Sequence, residues 1–266
     1  MNDPVLEVSD LRAGFGHNTV LHGVSFQVTR GEIAALLGLN GAGKTVTLKT
    51  ISGLLPPWSG AVKIDGVDVT AMEPEDRVRV GIASVPQGRA VFPHLTVQEN
   101  LRLGGATVRD RRSYEQATAR TFEWFPLLAE RRRQLAGTLS GGEQAMLAVG
   151  RALMSGPKLV LIDEPSAGLS PLALGELLEI IRQVNDTGVT VLMVEQNTTF
   201  AMRLADTVHV MQKGTIALSA PVSGLSDPSE LLGHLGVGAL MRDRIRAVVA
   251  ARAAAKRAAP TPPKRA

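Results

Sequence analysis

No cysteine occurs in the 266 residues. Disulfides and thiolate metal sites are therefore excluded, and the composition suits a reducing compartment. Long apolar runs are also missing. A membrane-spanning helix needs roughly 20 consecutive apolar residues, and stretches such as Ile33–Leu37 fall far short. The start, Met1-Asn2-Asp3-Pro4, lacks the basic-then-apolar pattern of a secretory leader, so none is expected. Aromatics are scarce at 3%, with a single tyrosine. The body lacks a net positive charge. The chain is +4 overall, yet residues 239–266 alone are +7, which leaves residues 1–238 at −3. A basic character argued from the whole chain is thus a property of the tail, and no nucleic-acid partner is expected.

What is present reads as α/β. At 266 residues and 44% hydrophobic content the chain can bury a full core. Leu6–Val8 and Gly23–Val28 alternate like early strands. Ile33–Leu37 is continuously apolar, as a strand buried on both faces of a parallel sheet should be. A helix is expected from about Gly43 to Ser52, before Gly53 and Pro56-Pro57. Val62–Gly66 reads as strand and turn, and Ile82–Val85 as a short strand. From about residue 88 to 155 arginine, glutamate and alanine increase, which predicts an inserted helical subdomain. The α/β rhythm then returns. Strands are expected at Leu159–Asp163, Val189–Val194, Val208–Met211 and Thr215–Leu218, and helices at Leu172–Asn185 and Thr198–Leu204. One domain is placed at 1–238, with about 88–155 inserted in it, and a basic Ala/Arg/Pro-rich tail at 239–266.

Three segments carry chemistry. Gly38-Leu39-Asn40-Gly41-Ala42-Gly43-Lys44-Thr45 joins a buried strand to a helix, with Val46 just beyond it. Glycines let the backbone N–H groups turn toward phosphate oxygens, and the helix start adds a favourable dipole. Lys44 can reach the β- and γ-phosphates, and the Thr45 hydroxyl can ligate Mg²⁺. The second segment is Asp163-Glu164, at the end of an apolar strand and followed by Pro165. Asp163 suits Mg²⁺, and Glu164 suits accepting a proton from an attacking water. The third is Leu139-Ser140-Gly141-Gly142-Glu143, where Ser140 caps a strong helix and the glycines expose N–H donors. It is a second anion-binding helix start, which one nucleotide does not require from one chain.

These three segments in this order resemble the ATP-binding subunit of an ABC transporter. The resemblance spans residues 4 to about 237. It implies a P-loop NTPase sheet with an antiparallel β subdomain and an inserted helical subdomain, and it implies ATP and Mg²⁺ as ligands. It also implies pairing, as a homodimer or with a homologous ATPase, in which Ser140, Gly141, Gly142 and Glu143 of one chain close on the γ-phosphate held by the other. Gln87, after the strand Ile82–Val85, would contact Mg²⁺ and water and touch the membrane partner. Phe15 stands where the family stacks adenine, and core packing is the competing reading. Three positions depart from the commonest pattern. Glu143 replaces glutamine, Gln196 replaces the switch histidine and cannot carry a proton charge, and Ser170 replaces an aspartate that couples the two sites.

Pro86–Leu101, Gly150–Met154, Glu164–Pro171 and Val194–Asn197 are similar to the branched-chain amino-acid uptake type, specifically its second, smaller ATPase. Urea and short-amide importers share most of these segments, and a soluble, non-transport ABC ATPase is a further alternative. A P-loop GTPase is disfavoured, because no Asn-Lys-x-Asp motif is present. The resemblance implies integral membrane permease subunits, indirectly a substrate-binding protein, and a peripheral location on the cytoplasmic face of the inner membrane. The tail admits two readings, a basic amphipathic helix over 239–255 lying on anionic lipid or a solvated extension.

Overall fold

A computed structural model describes residues 3–88, 91–224, 247–249 and 251. Arg89 and Ala90, and most of the tail with its two readings, lie outside the described residues. Within the tail, residues 247–249 and 251 are helical, and Val248 and Val249 are partly buried against the core.

The chain begins with a long hairpin, β1 (Pro4–Phe15) and β2 (Asn18–Thr29), followed by β3 (Ile33–Leu37) and helix α1 (Lys44–Ile51). Strands β4 (Ser59–Ile64) and β5 (Val67–Asp68) return to the hairpin, making an antiparallel sheet in the order β2-β1-β4-β5. Helix α2 (Pro74–Val80) and strand β6 (Ile82–Val85) lead into a helical block. It contains α3 (Val97–Gly104), α4 (Arg111–Trp124), α5 (Pro126–Glu130) and α6 (Gly141–Leu153). The chain then alternates through β7 (Leu159–Asp163), α7 (Pro171–Asp186), β8 (Thr190–Glu195), α8 (Thr198–Leu204), β9 (Thr207–Gln212) and β10 (Thr215–Pro221). The second sheet has the order β10-β9-β3-β8-β7-β6. Its first pair is antiparallel and the remainder parallel.

Both faces of this second sheet are covered, which explains its continuous apolar runs. Ala34, Leu36, Leu161, Leu192 and Val194 point toward the antiparallel sheet and α1. Ile33, Ala35, Leu37, Val160, Ile162, Val191 and Met193 point into a second core with the helices. The alternation of successive side chains therefore feeds two cores from one strand. The early strands are longer than the local pattern suggested, because β1 pairs with both β2 and β4 and long-range ladders carry it through its bulges.

Two buried polar residues that sequence reading missed position the elements around the site. Arg77 of α2 is 2% exposed. Its guanidinium donates to the carbonyls of Thr50 and Ile51, at 2.7 and 2.9 Å, and to those of Met72 and Thr70. A cation here satisfies the orphan carbonyls at the end of α1 and complements its dipole. Asn100 is fully buried and exchanges hydrogen bonds with the backbone of Phe92, while also donating to Leu95 and Thr96. It staples residues 92–96, just beyond Gln87, onto α3.

His209 sits in β9, 3% exposed, with its ring 4.9 Å from that of Phe26 and Nδ1 2.9 Å from Ser219 Oγ. Burial pushes its pKa down to about 4 from 6.5. The unfolded chain therefore binds a proton that the folded chain refuses between about pH 6.5 and 4. Stability is expected to fall with pH across that window, by at most about 3 kcal/mol. Urea titrations of wild type and His209→Gln at the two ends should show a shallower fall in the variant. Equal falls would remove His209 as the cause.

Candidate active site

The site is built at the carboxyl edge of the parallel sheet, where β3, β7 and β8 end side by side. Leu37 pairs with Glu195, and Asp163 with Val194. The loop after β3 is glycine-dependent at two points. A Cβ on Gly38 would lie 2.6 Å from the Met211 carbonyl oxygen. Gly43, at the N-cap of α1, has φ +109° and is packed against Leu21 and Met211. Only glycine tolerates both the left-handed backbone and the close approach. No acidic residue occupies the first turn of α1, so its N–H groups and dipole face the loop uncompensated.

Lys44 is 5% exposed. Its ammonium donates to the carbonyls of Gly38 (2.9 Å) and Leu39 (3.2 Å) and lies 3.8 Å from Glu164 Oε1. The Thr45 hydroxyl donates to Asp163 Oδ1 at 3.3 Å. Burial raises the Asp163 pKa, partly offset by that hydroxyl, and the neighbouring Glu164 raises it further. A buried carboxylate beside a second carboxylate and a hydroxyl is a hard, oxygen-only donor set, and a divalent cation there would relieve the charge cost. These residues fit Mg²⁺.

Glu164 lies just past the end of β7 with φ +46°, a left-handed conformation that costs a non-glycine residue roughly 1–2 kcal/mol. Its N–H donates to the Val194 carbonyl at 2.9 Å. Exposed Gln87 donates its amide to Glu164 Oε2 at 2.6 Å, so the segment after β6 meets the segment after β7. Gln196 is exposed at the end of β8 and lines, with Glu164, Ser166, Ala167, Glu195 and Asn197, a crevice of about 260 Å³. The structure thus brings Lys44, Thr45, Gln87, Asp163, Glu164 and Gln196 to one edge. Leu39, Asn40 and Gly41 form the exposed tip of the loop, while Ala42 and Gly43 are buried beneath it and Val46 is half-buried. Phe15 ends β1 with 53% of its surface exposed, so it is not a core residue.

Ser140 lies at the N-cap of α6. Its hydroxyl accepts from Glu143 N (3.3 Å), and Glu143 Oε2 accepts from Ser140 N (2.8 Å). Glu143 also pairs with Arg131 at 3.1 Å. Its carboxylate is therefore engaged within its own chain, whereas Ser140 is exposed and Gly141 and Gly142 are partly so. Ser170 caps α7 through Ala173 N at 3.3 Å.

Comparison with known proteins decides the family. The ABC transporter family model matches residues 21–167, more than half of the chain. The branched-chain amino acid transport ATP-binding protein BraG of Pseudomonas aeruginosa is 47% identical over 223 residues, covering 84% of this chain and 95% of BraG. The chain belongs to the ABC transporter ATP-binding family. A probable branched-chain amino acid transport ATP-binding protein, LivF of Archaeoglobus fulgidus, is 35% identical over 86% of this chain and 95% of its own. A solved nucleotide-free ATP-binding cassette from an ABC transporter superposes with a TM-score of 0.77 at 27% identity, covering 86% of this chain and 98% of that one. The chain is accordingly an ATP-binding ATPase of the ABC transporter type. No helix among the described residues is long and apolar enough to cross a membrane.

A buried carboxylate at this same sheet edge was passed over in the sequence. Glu195 is 1% exposed at the end of β8. Its signal was available, since a carboxylate closing an apolar strand repeats the pattern that singled out Asp163.

The capping geometry predicts how Glu143 responds to substitution. Glutamine can keep the reciprocal cap, while alanine removes it. Glu143→Ala should lower stability by about 1 kcal/mol and Glu143→Gln by less. Denaturant melts of both variants test this, and equal losses would count against the cap.

Proposed function

We propose that this chain is the ATPase subunit of an importer for branched-chain amino acids. The observation that carries the reading is the BraG match across nearly all of that protein, joined to a complete set of phosphate, carboxylate and switch residues at one sheet edge. BraG and LivF are both named for branched-chain amino acid transport, which favours this solute over urea or short amides. Residues 1–238 act as the nucleotide-binding unit, with 88–155 as its helical insertion and 239–266 as a basic appendage. The unit works at the cytoplasmic face of the membrane, against permease subunits fed by a substrate-binding protein.

Two such domains, identical or homologous, hold two ATP molecules between them. Phe15 stacks on the base. The backbone N–H groups of the loop Gly38–Thr45 and the Val46 turn cradle the phosphates, and Lys44 spans the β- and γ-phosphates. Mg²⁺, held through Thr45, Asp163 and Gln87, supplies neutralisation of the phosphate charge. Glu164 orients the water and accepts its proton, and Gln196 hydrogen-bonds the γ-phosphate without titrating. Ser140, Gly141 and Gly142 of the opposite chain complete the γ-phosphate shell, with Glu143 holding the helix start in place. Closure then moves the permeases. The exposed Ser140 cap and the partly exposed glycines support this, because a helix N-terminus open to solvent is ready for an anion.

Glu164→Gln should retain ATP binding, lose hydrolysis and accumulate a closed dimer, read by labelled ATP, phosphate release and size-exclusion chromatography. Near-normal turnover would refute Glu164's role. Specific ATPase activity of wild type should also rise with protein concentration, since one chain supplies half of each site. A rate per chain that is flat on dilution to monomer would refute the shared site. Co-purification of permeases with a tagged copy, and stimulation of their ATPase by leucine, isoleucine or valine but not urea, tests the solute.

A further inference from the structure

Glu195 ends β8 almost wholly buried, and neutral donors surround its carboxylate. Oε1 accepts from Ser166 N at 2.9 Å. Oε2 accepts from the Ser166 hydroxyl at 2.9 Å, from Gln196 N at 3.2 Å and from Asn197 N at 3.1 Å. The residue before it, Val194, accepts from Glu164 N at 2.9 Å. The end of β8 therefore grips the loop that follows β7 at residues 164 and 166. Between those grips lies Pro165, which has no N–H to offer, and the first grip falls on the left-handed turn at Glu164. An unfavourable backbone conformation persists where its surroundings over-determine it. Here the surroundings are the last two residues of β8.

The same carboxylate holds the N–H of Gln196. One side chain thus ties together two loops that face a common crevice lined by Glu164, Ser166, Gln196 and Asn197. We propose that Glu195 is a positioning residue of the ATPase site: bonded to Ser166 and Gln196, it locks the Glu164 turn and the Gln196 loop into one unit. This rests on Glu164 acting on the attacking water. Four hydrogen bonds to one buried carboxylate are more than a strand end requires, and three of the four donors are N–H groups in the two loops that carry reacting groups. Burial raises the pKa of Glu195 while the Ser166, Asn197 and Gln196 donors lower it.

The chemistry of substitution makes the claim testable. Glutamine preserves volume but turns one acceptor oxygen into a donor, so some of the four bonds are lost. Ser166→Ala removes only the hydroxyl contact, at a half-buried position. With the full chain, Glu195→Gln and Ser166→Ala should lower kcat roughly 10- to 100-fold and roughly three- to tenfold, respectively. ATP affinity, read with a fluorescent ATP analogue, should stay within about twofold of wild type. Ser166→Thr, which keeps the hydroxyl, should restore turnover, and the double variant should be no slower than Glu195→Gln alone. Unchanged kcat in both single variants overturns the proposal. So does a parallel loss of kcat, ATP affinity and thermal midpoint in Ser166→Ala, the mark of a merely structural contact. If Glu195→Gln does not fold, the Ser166 pair decides. Glu164→Gln separates the layers: if it hydrolyses ATP normally, the reading of Glu164 has failed, and if it is dead while the Glu195 and Ser166 variants are normal, only the positioning role has failed.

Discussion

The site depends on one constraint, the burial of β3, β7 and β8 on both faces of a parallel ladder. Their in-register pairing leaves the three strands ending at a common edge. Whatever follows each strand must emerge there, so the phosphate loop, the carboxylate pair and the switch residue converge without contact between their own side chains being needed to bring them together. The two cores lock the ladder from both sides. A slip of one residue in β7 would exchange the faces of Val160 and Leu161 and carry Asp163 away from Thr45.

On that frame the polar groups work as mutual supports. Lys44 is held by carbonyls of its own loop, Thr45 reaches Asp163, Gln87 reaches Glu164, and the end of β8 holds the turn that presents Glu164. Buried or half-buried polar groups with partners are stiff, because leaving any one unpaired is costly. Stiffness of this kind suits a reaction in which catalysis is largely positioning and electrostatics. The left-handed backbone at Glu164 is tolerated for the same reason.

The helical block adds a different kind of element. Helix α6 packs on α3, α7 and β6, yet its N-terminus faces outward with a cap satisfied internally by Glu143. Arg131 neutralises that glutamate, so the helix start presents N–H groups and no free negative charge. An anion approaching from another molecule meets a favourable dipole there. Asn100 and Arg77 do quieter work by fixing the loop beyond Gln87 and the end of α1.

Much of this was legible in the chain. Continuous apolar runs ending at Gly38 and at Asp163-Glu164 marked strands buried on both faces, and α8 and β7 were readable to the residue. Lys44, Thr45, Asp163 and Glu164 could be singled out because their residue types and spacing follow from phosphate chemistry. Other features were not readable. Helix α2 was missed because Pro74–Val80 is short and mostly charged, and its purpose, carrying Arg77 under α1, involves carbonyls far away in sequence. Glu195 closes an apolar strand as Asp163 does, but its grip on Ser166 was not readable, because Ser166 meets it only once β7 and β8 are paired. The sequence by itself determined which strands are buried and which residues can handle phosphate, since hydrophobic periodicity and side-chain chemistry are local. Only the tertiary structure decided that Gln87 touches Glu164 and that Phe15 faces solvent, since these depend on register and packing between segments distant in the chain.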